Sequence, residues 1–250
     1  MIIIHIDSQK DTAFLKKCYE GLEHTIVLYN PTRSKVNETL QTYPQEDVMM
    51  LGHGSGNGLF SHDWRGYIID STNVNLLKGR NCIGIWCWAK DFGRKHGLRG
   101  YFTSMFISNG TEARSLRFNA DEQDVFNEVA LFSERVHDLI ENETPYSEWV
   151  QSLNRVADIS KGFVKYNYEA MEYFDGTQKP KEEDGVLNLW AQDVGTDTET
   201  DYHDNSDEKD AEDFFEDYCM ENGIEGDWAR EIAYPIFLAG WNSHKFFQEL

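Results

Sequence analysis

Three short, almost wholly apolar runs constrain this chain more than any other feature: Ile2-Ile3-Ile4-His5-Ile6-Asp7, Val48-Met49-Met50-Leu51 and Cys82-Ile83-Gly84-Ile85-Trp86. Each is too short for a buried helix and lacks the in-out alternation of a half-solvated strand. That is the pattern of strands covered on both faces, as in a parallel sheet. The segments between them support this. Phe14, Leu15, Cys18 and Leu22 recur at helical spacing, residues 24–29 read as a second strand closed by Asn30-Pro31, and residues 34–42 read as a short helix. The resulting order, βαβαβ, calls for a mainly parallel sheet with right-handed crossovers and an α/β fold.

Further along, residues 59–70 read as a β-hairpin excursion, Leu76-Leu77 as the close of a short helix, residues 90–96 as another, and residues 100–108 as a fifth strand. Val125, Val129, Phe132, Val136 and Leu139 keep a helical period, as do Trp149, Leu153, Val156, Phe163 and Tyr166, so two helices should cover one sheet face. The composition changes after Gly176: residues 177–185 form a loop, and residues 193–213 are too acidic to collapse alone. Phe214, Phe215, Tyr218, Trp228, Ile232, Phe237, Leu238 and Trp241 then predict helices that bury aromatics against the main domain. The expected organisation is an α/β domain over residues 1–175, a loop and acidic linker over 176–213, and a small helical extension over 214–250.

Two strand ends carry the chemistry. The third predicted strand runs into His53-Gly54 and the fourth into Cys87. Adjacent parallel strands would bring both loops to one sheet edge, where α/β proteins place their ligand crevices. A thiol is only slightly ionised near neutrality, and an imidazole beside it can accept its proton to give the nucleophilic thiolate. His53 and Cys87 are therefore the candidate catalytic pair. No cofactor is expected. The glycines at 52, 54, 56 and 58 match neither dinucleotide nor P-loop spacing. Asp197, Glu199, Asp201 and Glu208 fall at EF-hand positions, but Tyr202 stands where the loop needs glycine. The histidines show no paired ligand spacing, and no metal is assigned.

Charge and cysteines narrow the partners. A net charge of −21 opposes binding to nucleic acid and favours basic partners or peptide substrates. Cys18, Cys82, Cys87 and Cys219 lack C-x-x-C spacing, which fits a reducing compartment. No apolar stretch approaches twenty residues and the amino terminus carries no basic leader, so a cytoplasmic protein without membrane association is expected.

The order strand-His53-Gly54, hairpin, strand-Cys87, short helix, strand resembles the caspase-like fold of clan CD cysteine peptidases, among them caspases, gingipains, clostripain and CHAT-type domains. The resemblance covers roughly residues 1–170 and implies a three-layer αβα sandwich. It also implies roles: His53 as acid/base, Cys87 as nucleophile, and the amides of Gly54 and Cys87 as oxyanion donors. The sequence around Cys87 differs from the caspase motif. Trp86 stands where metacaspases carry an acidic residue, and 34 positions separate His53 from Cys87, against roughly 50 in caspases. Primary specificity therefore does not transfer. The acidic composition favours cleavage after basic residues, with Asp63, Asp70, Asp91 and Glu112 as candidate pocket acids. The alternative from another class is a catalytically silent scaffold whose acidic surface binds a basic protein or mimics nucleic acid. A flavodoxin-like nucleotide-binding protein is a third reading, weakened by the missing phosphate fingerprint.

Overall fold

In the computed structural model the described residues are 1–7 and 12–177, all within a compact unit spanning Met1–Lys181. Strands β1 (Ile2–His5), β2 (Ile26–Tyr29), β3 (Val48–Leu51), β7 (Asn81–Ile85), β8 (Arg99–Phe102) and β9 (Glu172–Asp175) form one six-stranded sheet in the order β2-β1-β3-β7-β8-β9. The first five are parallel to their neighbours and β9 pairs antiparallel with β8. β4 (Gly54–Ser55), β5 (Gly58–Phe60) and β6 (Tyr67–Ile69) make a separate antiparallel sheet of three strands between β3 and β7. The protein is thus α/β with a mainly parallel sheet. The expected acidic linker beyond Thr177 and the helical extension over 214–250 lie outside the described residues.

Side-chain alternation along the buried strands builds the layers. Ile3, Met49, Ile83 and Tyr101 enter one core cluster, with the 3₁₀ helix Ala13–Cys18 and the helices α4 (Glu122–Glu141), α5 (Tyr146–Val156) and α6 (Gly162–Glu169). Ile2, Ile4, Val48, Met50, Cys82 and Phe102 enter the other, with α1 (Arg33–Thr42), α2 (Ala89–Lys95) and the small sheet. The central strands β1, β3 and β7 are buried on both faces, which explains their continuous apolar runs. Arg80 joins this second layer with no carboxylate in ion-pair contact among the described residues. Its guanidinium donates to the carbonyls of Leu40, Tyr43 and Glu46 at 3.0–3.2 Å, satisfying acceptors at the end of α1.

Two expectations need correction, and two elements went unpredicted. The fifth strand stops at Phe102: Thr103 turns its hydroxyl to the Trp86 carbonyl, and Ile107 is held by the Asn167 side chain through both its N–H and its C=O. A side-chain amide thus takes the place of a strand partner. The helix expected to run through Trp149 to Tyr166 breaks between Val156 and Gly162, where Asp158 accepts from the Ser160 amide and hydroxyl in a local turn. The short helices α3 (Gly110–Ser115) and the edge strand β9 carry too few apolar positions to announce themselves.

A buried polar knot lies at the end of β1. His5 is fully buried; its Nε2 donates to the Thr12 carbonyl at 3.1 Å, so Nδ1 is the acceptor for the Tyr19 hydroxyl at 2.9 Å. Burial holds its pKa below the ordinary value near 6.5. The folded protein keeps this ring neutral, while the unfolded chain takes up a proton below about pH 6.5. Stability is accordingly full above that pH and falls as pH drops, by up to about 1.4 kcal/mol per unit until the folded pKa is reached. Urea unfolding between pH 7.5 and 5 should show a steeper loss for the wild type than for His5→Gln, which lacks this titration.

Candidate active site

The last paired residues of β3 and β7 are Leu51 and Ile85, and the Gly52 amide extends the ladder to the Ile85 carbonyl at 3.2 Å. His53 and Cys87 each lie two residues beyond that pair. They leave neighbouring strands at register-equivalent positions, both half-buried, and both line one pocket with Thr12, Phe106, Ser108 and Glu112. The room left in it is about 20 Å³, space for one water.

Trp86 fastens the two loops together. Its side chain, 2 % exposed, packs in the second core cluster, and its indole Nε1 donates to the Ser55 carbonyl at 3.1 Å. A Cβ on Gly54 would lie 2.2 Å from Trp86 Cδ1 and 2.5 Å from the Gly58 carbonyl, so only glycine admits the indole here. The glycine after His53 thus has a packing reason independent of any oxyanion role. Gly54 pairs with Leu59 in β4, and Cys87 sits in the turn between β7 and α2. Trp88, the second tryptophan beside Cys87, is the N-cap of α2. It holds a left-handed φ of 69° and is 45 % exposed.

The electrostatics keep the thiol protonated at rest. Burial first, and the Glu112 carboxylate second, push the Cys87 thiol up to about 12, against a weak opposing contact from Sγ to the Phe106 carbonyl at 4.0 Å. Glu112 is buried because its Oε2 accepts from the Ser108 amide at 2.7 Å and the Ser108 hydroxyl at 3.0 Å. Its own amide donates to Asn109, the N-cap of α3. Tyr166 is close enough for the Cys87 charge to help raise its phenol, after burial. Over His53 lies Trp64, ring centroids 5.0 Å apart and 32° from parallel. Trp64 itself has a left-handed φ of 61°, and its buried Nε1 has no partner among the described residues.

The four acids singled out in the sequence separate sharply. Asp63 caps its own turn, accepting from the Ser61 hydroxyl at 2.6 Å and the Arg65 amide at 3.3 Å. Asp70 is bound bidentately by Arg33 at 2.6 and 2.7 Å. Asp91 lies in the first turn of α2, its Cβ 3.5 Å from where a Gly56 Cβ would stand. Glu112 is the one of the four in the pocket lining. Among the described residues no three of His, Cys, Asp or Glu are grouped to hold a metal ion. Sequence reasoning missed Ser108, Trp86 as a fastener and Trp64 over His53. Only the first had a readable sign, the Asn109-to-Glu112 spacing of a helix start.

Two measurements follow. Gly54→Ala should cost about 1–3 kcal/mol in urea unfolding, and the penalty should shrink in a Trp86→Ala background, leaving the clash with the Gly58 carbonyl. In the resting protein, alkylation of Cys87 by iodoacetamide, followed on the Cys87 peptide by mass spectrometry, should be slow at pH 7.5. It should rise about tenfold per pH unit up to pH 10, as expected for a thiol whose pKa is about 12.

No model of a known protein family matches the chain, and no curated protein matches it.

Proposed function

We propose that this protein is a cysteine peptidase of the caspase-like kind, in which Cys87 attacks the scissile carbonyl and His53 serves as acid and base. The observation that carries the reading is the register: an imidazole and a thiol at equivalent positions beyond two adjacent parallel strands, lining one pocket. The order of the five parallel strands is also that of flavodoxin-like sheets, so strand order alone supports no single family. The small antiparallel sheet between the His53 strand and the Cys87 strand, followed by the short helix α2, favours the caspase-like reading.

The chemistry runs in two halves. The Cys87 thiol proton passes to the His53 imidazole as sulfur bonds to the carbonyl carbon, and the carbonyl π pair becomes an oxyanion facing the Gly54 and Cys87 amides. The imidazolium then protonates the leaving amine as the C–N bond breaks, giving an acyl-enzyme. Water attacks the thioester carbonyl, gives its proton to His53, and the thiolate leaves and is reprotonated. Glu112 gives the pocket an acidic wall and supports a preference for basic residues. Three free thiols among the described cysteines support a reducing, cytoplasmic setting. Among the described residues no helix is long and apolar enough to cross a membrane.

One observation favours a second reading, the catalytically silent scaffold that binds a basic partner: a thiol pushed up to about 12 beside a buried carboxylate is a poor resting nucleophile. Fluorogenic peptides with each residue type at the cleaved position, offered to the full chain, decide between them. Turnover lost by at least 10³-fold in both Cys87→Ala and His53→Ala, with unfolding midpoints unchanged, is the expected result. Equal cleavage by wild type and Cys87→Ala removes Cys87 as nucleophile, and no cleavage of any peptide, with basic-protein binding intact, leaves the scaffold.

A further inference from the structure

The small three-stranded sheet grips His53 by its backbone and by its ring. The His53 carbonyl accepts from the Phe60 amide at 2.9 Å, and the next residue, Gly54, pairs with Leu59. The turn between β5 and β6 supplies the second grip: the Trp64 indole lies over the imidazole, centroids 5.0 Å apart and planes 32° from parallel. That turn is braced. The Ser61 amide donates to the Gly66 carbonyl at 2.8 Å and the Trp64 amide to the Ser61 carbonyl at 3.1 Å. Asp63 accepts from the Ser61 hydroxyl and the Arg65 amide, so this acid holds the turn that carries Trp64. Trp64 also packs on Phe60 at 5.5 Å, and Phe60 stacks on Tyr67 at 5.0 Å.

A purely structural turn would choose another residue here. The left-handed φ of 61° suits glycine or asparagine, and the buried Nε1, without a partner among the described residues, would cost nothing in a phenylalanine. His53 lines the pocket with Cys87 and Trp64 does not, so Trp64 acts on the chemistry only through the ring it covers. Resting on the peptidase reading, we infer that Trp64 is a positioning residue for His53: its indole fixes the plane of the imidazole and steadies the positive charge the ring acquires on taking the thiol proton. An aromatic face carries negative potential, so the stack strengthens as the ring becomes an imidazolium. The proton passes from sulfur to the imidazole nitrogen, and Trp64 exchanges no atom. An interaction stronger in the transition state than at rest raises kcat and leaves substrate binding alone.

Substitutions at Trp64 in the full chain test the role. On a fluorogenic peptide that the wild type cleaves, Trp64→Leu should lower kcat about tenfold and leave KM within about twofold. Trp64→Phe, which restores an aromatic face, should recover most of that loss. Trp64→Gly serves where the leucine variant fails to fold, since glycine takes the left-handed φ without strain, and it should lose kcat in the same way. Unchanged kcat in a folded leucine or glycine variant, or no recovery with phenylalanine, overturns the inference. A second measurement needs no turnover. In the wild-type NMR spectrum the His53 Cε1 proton should cross-relax with the Trp64 indole and carry an upfield ring-current shift that Trp64→Leu removes; a His53 resonance with neither property overturns the inference. The two claims separate: cleavage with kcat indifferent to Trp64 sinks the positioning role alone, and a stacked His53 without cleavage of any peptide sinks the peptidase reading while the hold on the ring stands.

Discussion

The parallel pairing of β3 with β7 is the constraint from which the candidate site derives. Because side chains alternate along a strand, a slip of one residue would exchange the two faces, sending Ile85 toward one core and Trp86 toward the other. Ile85 belongs to the helical layer and Trp86 to the layer of α1, α2 and the small sheet. The strand end is therefore anchored from both sides at once. Trp86 reaches further than its own strand, since its indole requires glycine at position 54 and bonds to Ser55. The loop carrying His53 is thus fixed by a residue one position before Cys87, and the two candidate side chains are set by a single register.

Two of the six described non-glycine residues with a left-handed backbone stand beside the candidate pair. Trp64 and Trp88 both hold left-handed backbone conformations, which cost about 1–3 kcal/mol each for residues with a side chain. One covers His53 and the other follows Cys87. The buried Glu112 carboxylate and the Cys87 thiol line one pocket.

How much of this was readable from residues alone depends on how local the cause is. Val48 to Leu51 and the run after Asn81 are buried on both faces, so their apolar continuity marks them as strands without further help. His53 and Cys87 followed because each ends such a run. The segment after Phe102 reads as strand because Phe106 and Ile107 are as apolar as strand residues, yet Phe106 packs on Phe14 and Phe132, and Ile107 is held by the Asn167 amide, a contact 60 residues away in the chain. Glu112 stood among four acids that composition cannot rank. Arg33 removes Asp70 by a long-range ion pair, while Ser108 brings Glu112 inward through a short-range one-turn contact, and neither outcome has a signature in the count of charges.

The protonated sulfur also bears on how long such a protein lasts. Oxidation by peroxide proceeds through the thiolate, and a cysteine that is ionised at rest advances readily to sulfenic acid and then to forms that no thiol can restore. With its proton retained by burial and by a neighbouring anion, Cys87 resists that first step, and the other buried thiols, Cys18 and Cys82, are equally protected by desolvation. The burial that keeps this thiol protonated therefore also slows, for the same reason, its reaction with oxidants.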